Sequence, residues 1–244
     1  MSTPDHHVIL LWSGNHDRRE QSLRILRHYQ TTPQSHDRFQ IHVVKCPLQE
    51  DRKKGCFQAH QKGLRYFLRH QWDHVIIVED NLEKTRNGRY RFLQQAYQQV
   101  QNRAPLYDLM FLARFPNPFL PLSRQVAPSL YRCYGQIQGS TSYLISRQGA
   151  VHLTKVPYRN IPYDIEMLFP PLQTYYMYPS LFQRSGEINS HISSELNIPR
   201  RLYFFPPMYR FLEWLEYHQI IFLLFLFIMV LLVWQFCKTG NPIK

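Results

Sequence analysis

Four consecutive β-branched residues, Val75-Ile76-Ile77-Val78, are followed at once by Glu79-Asp80-Asn81. The run shows no alternation of apolar and polar positions, which fits a strand covered on both faces; a helical segment this short has the same pattern. A strand of that kind needs helices above and below its sheet, so it points to an α/β layer structure. Ligands of open α/β sheets bind outside the carboxyl ends of the strands. Two acids and an amide at such an exit are placed to meet a ligand or a metal. A polar loop that caps the following element reads the same residues equally well.

The rest of the chain alternates strand-like and helical stretches. Strands are expected at Val8–Trp12, Phe39–Val44, Leu109–Leu112 and Gly139–Ser146, and helices at Asp17–Tyr29, Gly55–His70 and Tyr90–Gln101. A helix is expected from Arg147 and a further strand-like piece at "TYYMYP". The stretch "ARFPNPFLPLSRQVAPS" is proline-rich and reads as an irregular loop. The expected organisation is an α/β domain over 1–187, a linker over 188–212, an anchor over 213–237 and a short tail over 238–244.

That anchor rests on Ile220–Trp234, a run without a polar residue in which thirteen side chains are Leu, Ile, Phe or Val. Each contributes roughly −0.3 to −0.6 kcal/mol on the insertion scale, on the order of −4 to −8 kcal/mol together. Trp214, Tyr217 and Trp234 suit the two interfaces. The amino terminus has only the short apolar stretch Val8–Trp12 and no basic lead, so no secretory signal is read there. A single-pass, tail-anchored membrane protein with its soluble part in the cytosol is expected.

Lys and Arg number 29 against 17 Asp and Glu, a formal net charge of +12. The excess favours anionic partners. It is scattered in short clusters without zinc-finger or RNA-recognition signatures, so nucleic acid is the weaker use of it. The four cysteines, at 46, 56, 133 and 237, form no CxxC pair, and reduced thiols are expected.

Several residues carry candidate chemistry. Arg18 and Arg19 offer planar bidentate donors to phosphate, or form a solvated first turn. His60 lies on the apolar stripe of its helix with Cys56, Leu64 and Phe67, a place that suits a hydrogen-bonded core histidine as well as a ligand. Arg184, Ser185 and His191 are weaker candidates, and His6-His7 has no convincing partner spacing.

The segments "LLWSGNHDRRE", "KGCFQAHQKGL", "VIIVEDN" and "GSTSYLISRQGA", in this order, resemble glycosyltransferase family 25, the lipooligosaccharide and procollagen galactosyltransferase group. The resemblance runs from about His7 to about Ser190. It matches the family's helix motif at Gly55, Cys56 and His60, with Ala59 where the family has serine. It matches the later motif at Gly139, Tyr143, Ile145, Ser146, Gly149 and Ala150. It implies a GT-A-like, Rossmann-like nucleotide-binding fold and transfer of a sugar, galactose by resemblance, from a UDP-sugar to a glycan, lipid or protein hydroxyl. Arg18, Arg19, His60 and Glu79 are then donor-binding residues, and Asp80 and Asn81 hold Mn²⁺ or Mg²⁺. Asp164 and Glu166 fall where the family carries late acids and are the catalytic candidates, as general base or acceptor contact; the exposed start of a short helix is the other reading. The family's last acid of the metal motif is here Asn81, which brings an oxygen but no charge. Three outcomes follow: Asp80 suffices, another carboxylate substitutes, or the fold persists as a non-catalytic, membrane-bound interaction protein.

Overall fold

A computed structural model describes residues 6–31, 39–46, 49–84, 107–115, 123–128, 130–133, 138–161, 163, 167, 171–177, 180–184 and 219–238. The elements in chain order are β1 (His6–Trp12), α1 (His16–Thr31), β2 (Phe39–Lys45), α2 (Arg52–Arg69), β3 (His74–Glu79), β4 (Leu82–Lys84) and β5 (Leu109–Phe115). They continue with β6 (Ser123–Ala127), β7 (Leu130–Cys133), β8 (Gln138–Ser146), α3 (Arg147–Thr154), β9 (Thr174–Met177), β10 (Phe182–Arg184) and α4 (Gln219–Lys238).

Eight strands form one mixed sheet in the order β2-β1-β3-β8-β5-β9-β7-β6, and β10 pairs with β4 in a small second sheet. β1 runs parallel to both β2 and β3. β8 lies antiparallel between β3 and β5, and β5 is parallel to β9. The mixed α/β architecture expected from the sequence is thus present. Val75 to Val78 are all buried at its centre, in the manner their lack of alternation implies.

Successive strand side chains point to opposite faces. Val8, Leu10, Ile76 and Val78 join Leu23 and Leu26 of α1 in one apolar cluster. Ile9, Leu11, Val75 and Ile77 join Phe57, Leu64 and Phe67 of α2, and Ala150 and Leu153 of α3, in the other. Carried past the end of β3, this alternation sends Glu79 to the α2 face and Asp80 to the α1 face. The two acids therefore meet different neighbours.

Ser146 ends β8 and caps α3, its hydroxyl accepting the Gly149 N–H at 3.0 Å. Gly149 allows α3 to touch the chain at Asp108: a Cβ there would stand 2.4 Å from the Asp108 carbonyl oxygen.

The proline-rich stretch contains a regular element that the sequence does not announce. Ser123–Ala127 is an edge strand paired with β7 alone. Arg124 and Gln125 are exposed there, so an edge position imposes little apolar pattern. The Tyr90–Gln101 helix and the linker fall outside the described residues.

α4 belongs to a second compact unit, while the other elements make up the first. Its described side chains, 223 to 235, cover about 20 Å of helix at ~1.5 Å per residue. Among the described residues no helix is long and apolar enough to cross a membrane. The anchor expected over 213–237 is carried by its sequence alone.

At the amino ends of the central strands sits a histidine cluster. His7 stacks on Trp72 at 3.9 Å, and His42 and His70 lie against the same ring. His6 and His74 meet edge to face at 5.8 Å. Burial first, and then His6, push the His74 imidazole down to about 4. Burial, together with His7 and His70, lowers His42 as well. An unfolded histidine titrates near ~6.5. Between these values the unfolded chain takes up protons that the fold refuses, so stability is full above ~6.5 and is lost as pH falls toward 4. Thermal or urea melts at pH 7 and 4.5 should differ by on the order of 1–3 kcal/mol from His74. His74→Gln should flatten that dependence; an unchanged slope in the variant would assign it elsewhere.

Candidate functional site

The exit of β3 is the meeting point of three elements. β1 ends at Trp12 and turns through Ser13, Gly14 and Asn15 into α1. Gly14 has φ +101°, a backbone region that side chains rarely adopt, so the turn that presents Ser13 depends on glycine. The Ser13 N–H and hydroxyl both donate to Asp80 Oδ2, at 2.7 and 2.5 Å. Asp80 is buried. Burial pushes its carboxyl up from the ordinary aspartate value, while the two Ser13 bonds and the nearby Arg18 guanidinium pull it back down. The net shift is upward, so this carboxylate holds its charge at some cost and gains from a cation beside it.

Asn81 is buried too, and its side-chain oxygen has no hydrogen-bond partner. Asn81 follows Asp80 directly in the chain, and a buried amide oxygen without a partner and a carboxylate are both oxygen donors, the type that hard divalent cations accept. In donor chemistry Asp80 and Asn81 thus fit the Mn²⁺ or Mg²⁺ that the family resemblance implies.

Arg18 is buried in the first turn of α1, its N–H bonded to the Asn15 side chain at 3.1 Å. Arg19 takes a different position. Its guanidinium lies 4.8 Å above the Trp12 ring and is paired with Glu20 at 2.8 Å. Lys45, at the end of β2, places its Nζ 5.5 Å from the same ring. Asp80 is therefore bordered by Arg18, and the adjoining strand ends carry Arg19 and Lys45 around Trp12. Sequence reasoning selected the two arginines and missed Ser13, Trp12 and Lys45. Strand ends that adjoin in a parallel sheet were the available signal.

On the α2 face Glu79 enters a separate cluster. Its Oε1 accepts the Ser140 hydroxyl at 2.8 Å and lies 3.1 Å from His60 Nε2. His60 is almost fully buried, and its Nδ1 is 2.9 Å from the Tyr143 hydroxyl. Tyr163 stacks on the His60 ring at 4.3 Å. Burial, and then Tyr163, push the Tyr143 phenol well above its ordinary value. Tyr143 therefore stays protonated. The Glu79–His60–Tyr143 chain links β3, α2 and β8 across the sheet. Cys56 stands one helical turn before His60 on the same side. Cys46, Cys56 and Cys133 form no disulfide among the described residues.

Of the residues singled out in the sequence, the structure brings Glu79 and His60 together, and separately brings Arg18 beside Asp80. It leaves Arg19 on the rim. Asp164 and Glu166 lie outside the described residues, although Tyr163, their neighbour in the chain, packs on His60.

No family model and no curated protein matches the chain. Among solved structures it is similar to an apo UDP-glucose pyrophosphorylase, with 8% identity over 75% of this chain and 92% of that one, TM-score 0.44. It is also similar to a CMP-2-keto-3-deoxy-manno-octonic acid synthetase complexed with CTP, with 10% identity over 82% and 98%, TM-score 0.42. A third likeness is to a mannose-1-phosphate geranyltransferase from Thermus thermophilus, with 8% identity over 72% and 74%, TM-score 0.41. Likenesses this distant transfer neither activity nor substrate to this protein.

Proposed function

We propose that the chain is a metal-assisted glycosyltransferase of the family 25 type, moving a sugar from a nucleoside diphosphate donor to an acceptor hydroxyl. The observation that carries this reading is Asp80: a buried carboxylate at the carboxyl end of a central strand, fixed by Ser13 and faced by Arg18. Asp80 and Asn81 would hold the divalent cation, which when bound supplies neutralising charge for the departing diphosphate.

The chain's own groups supply the rest. Arg18, close enough to Asp80 to influence its charge, is the proposed contact for the donor phosphates, and Trp12 with Arg19 and Lys45 offers a cationic, aromatic rim. Transfer forms a bond from the acceptor oxygen to the anomeric carbon and breaks that carbon's bond to phosphate. The acceptor proton needs a base, for which Asp164 and Glu166 are the proposed carboxylates. The apolar run over 213–237 is proposed as a membrane anchor that keeps this domain at a bilayer surface, on its cytosolic side.

A second reading has its own support. Asn81 stands where the family has an acid, and Glu79 and Asp80 are both engaged in internal hydrogen bonds. That arrangement suits a non-catalytic protein built on the transferase fold.

A donor screen on the full chain in detergent separates the two. With Mn²⁺ or Mg²⁺ present, one nucleotide sugar should be hydrolysed or transferred, with release of nucleoside diphosphate that stops on chelation. A folded protein that turns over no donor with either metal would favour the scaffold. Alkaline carbonate should leave the chain in the membrane pellet; release into the supernatant would remove the anchor.

A further inference from the structure

We propose that Cys56, His60 and Glu79 form a binding site for a borderline divalent cation of the zinc class, distinct from the oxygen site at Asp80 and Asn81. The parity of β3 creates the separation, because Glu79 faces α2 and Asp80 faces α1. On α2, Cys56 and His60 are four residues apart, so both side chains reach the same side of the helix. The thiol sulfur, an imidazole nitrogen and a carboxylate oxygen of the three residues all lie within 4.8 Å of one another. Ligand atoms around a tetrahedral zinc ion stand about 3.3–3.8 Å apart, given bonds of ~2.0–2.3 Å. His60 Nε2 and Glu79 Oε1, at 3.1 Å, are already near that spacing. Closure on an ion requires the three ligand atoms to draw in from separations of at most 4.8 Å, and Cys56 is partly exposed.

The surroundings are those of a held ligand set. With Nε2 turned to the cation, the His60 proton resides on Nδ1 and donates to the Tyr143 hydroxyl, 2.9 Å away. That contact sets the tautomer and raises the basicity of the imidazole. Tyr163 stacks on the ring and fixes its plane. The Ser140 hydroxyl orients the Glu79 carboxylate. One thiolate, one imidazole and one carboxylate select zinc-like ions over Mg²⁺ or Mn²⁺, which prefer oxygen alone. Three protein ligands leave a fourth position for water or a ligand oxygen.

Cobalt titration of the full chain in detergent, without nucleotide, tests the site independently of any donor. One equivalent of Co²⁺ should produce a thiolate-to-cobalt charge-transfer band in the near ultraviolet. Cys56→Ser should abolish the band, and Cys133→Ala should retain it. Tyr143→Phe should keep the band and weaken binding about 10–100-fold, the usual effect of losing a ligand's supporting hydrogen bond. In the unmutated chain, Zn²⁺ should protect Cys56 from alkylation, read by peptide mass mapping. A band absent from the unmutated chain, a band that survives Cys56→Ser, or alkylation of Cys56 indifferent to Zn²⁺ would each overturn the assignment. The cluster would then be a hydrogen-bonded chain of Glu79, His60 and Tyr143 only.

Discussion

Gly149→Ala is expected to destabilise the fold by about 3 kcal/mol or more, at the upper end of overpacking costs. The added methyl would stand 2.4 Å from the Asp108 carbonyl oxygen and 3.0 Å from its carbon, so it meets backbone that cannot rotate away. Asp108 cannot shift freely either. Its carbonyl accepts the Ser146 N–H at 3.0 Å, and its Oδ2 accepts the Gln173 N–H at 2.8 Å. Relief of the clash would loosen β8 and the entry to β9 together. Because β8 carries Ser140 and Tyr143, the Glu79 cluster should loosen with it. A urea midpoint shifted by the equivalent of less than about 0.5 kcal/mol would show that the contact is slack.

Asp80→Asn should separate stability from function. The amide keeps an acceptor for the two Ser13 bonds, and burial already disfavours the charge it removes. In the absence of metal the variant should be at least as stable as the parent. Its response to Mn²⁺ should disappear, with apparent metal affinity reduced by about 100-fold or more, since a hard cation loses its only charged ligand among the pair. Asn81→Asp should act in the opposite direction and tighten binding, at a cost in metal-free stability from a second buried acid. Equal metal affinities in parent and both variants would place Asp80 and Asn81 outside the coordination sphere.

The central strand was legible because its burial on both faces is written locally. Val75–Val78 needs no distant information to be read as buried. Helix α2 was legible for the same reason, through the stripe of Cys56, His60, Leu64 and Phe67. The division of the acids was not read, although the parity of β3 contains it. Deciding which helix covers which face requires the crossovers, and these are not local. Ser13 and Ser140 escaped notice because they approach Asp80 and Glu79 from 67 and 61 positions away. Tyr143 was visible as a motif residue, yet its partner His60 lies 83 positions before it. The edge strand Ser123–Ala127 was lost among prolines, and β4 and β10 are three residues each, too short to show a period.

The central claim is that the β3 exit on the α1 face receives a nucleoside diphosphate together with its cation. Thermal unfolding of the full chain with UDP, with and without Mn²⁺, tests it most directly. Binding at ligand concentrations ~100 times the dissociation constant stabilises by about 2.7 kcal/mol, enough to move the midpoint by several degrees. The expected result is a UDP shift that requires Mn²⁺ and vanishes in Asp80→Asn. Identical melting curves for the parent with UDP at millimolar concentration, whether or not Mn²⁺ is present, would contradict the account.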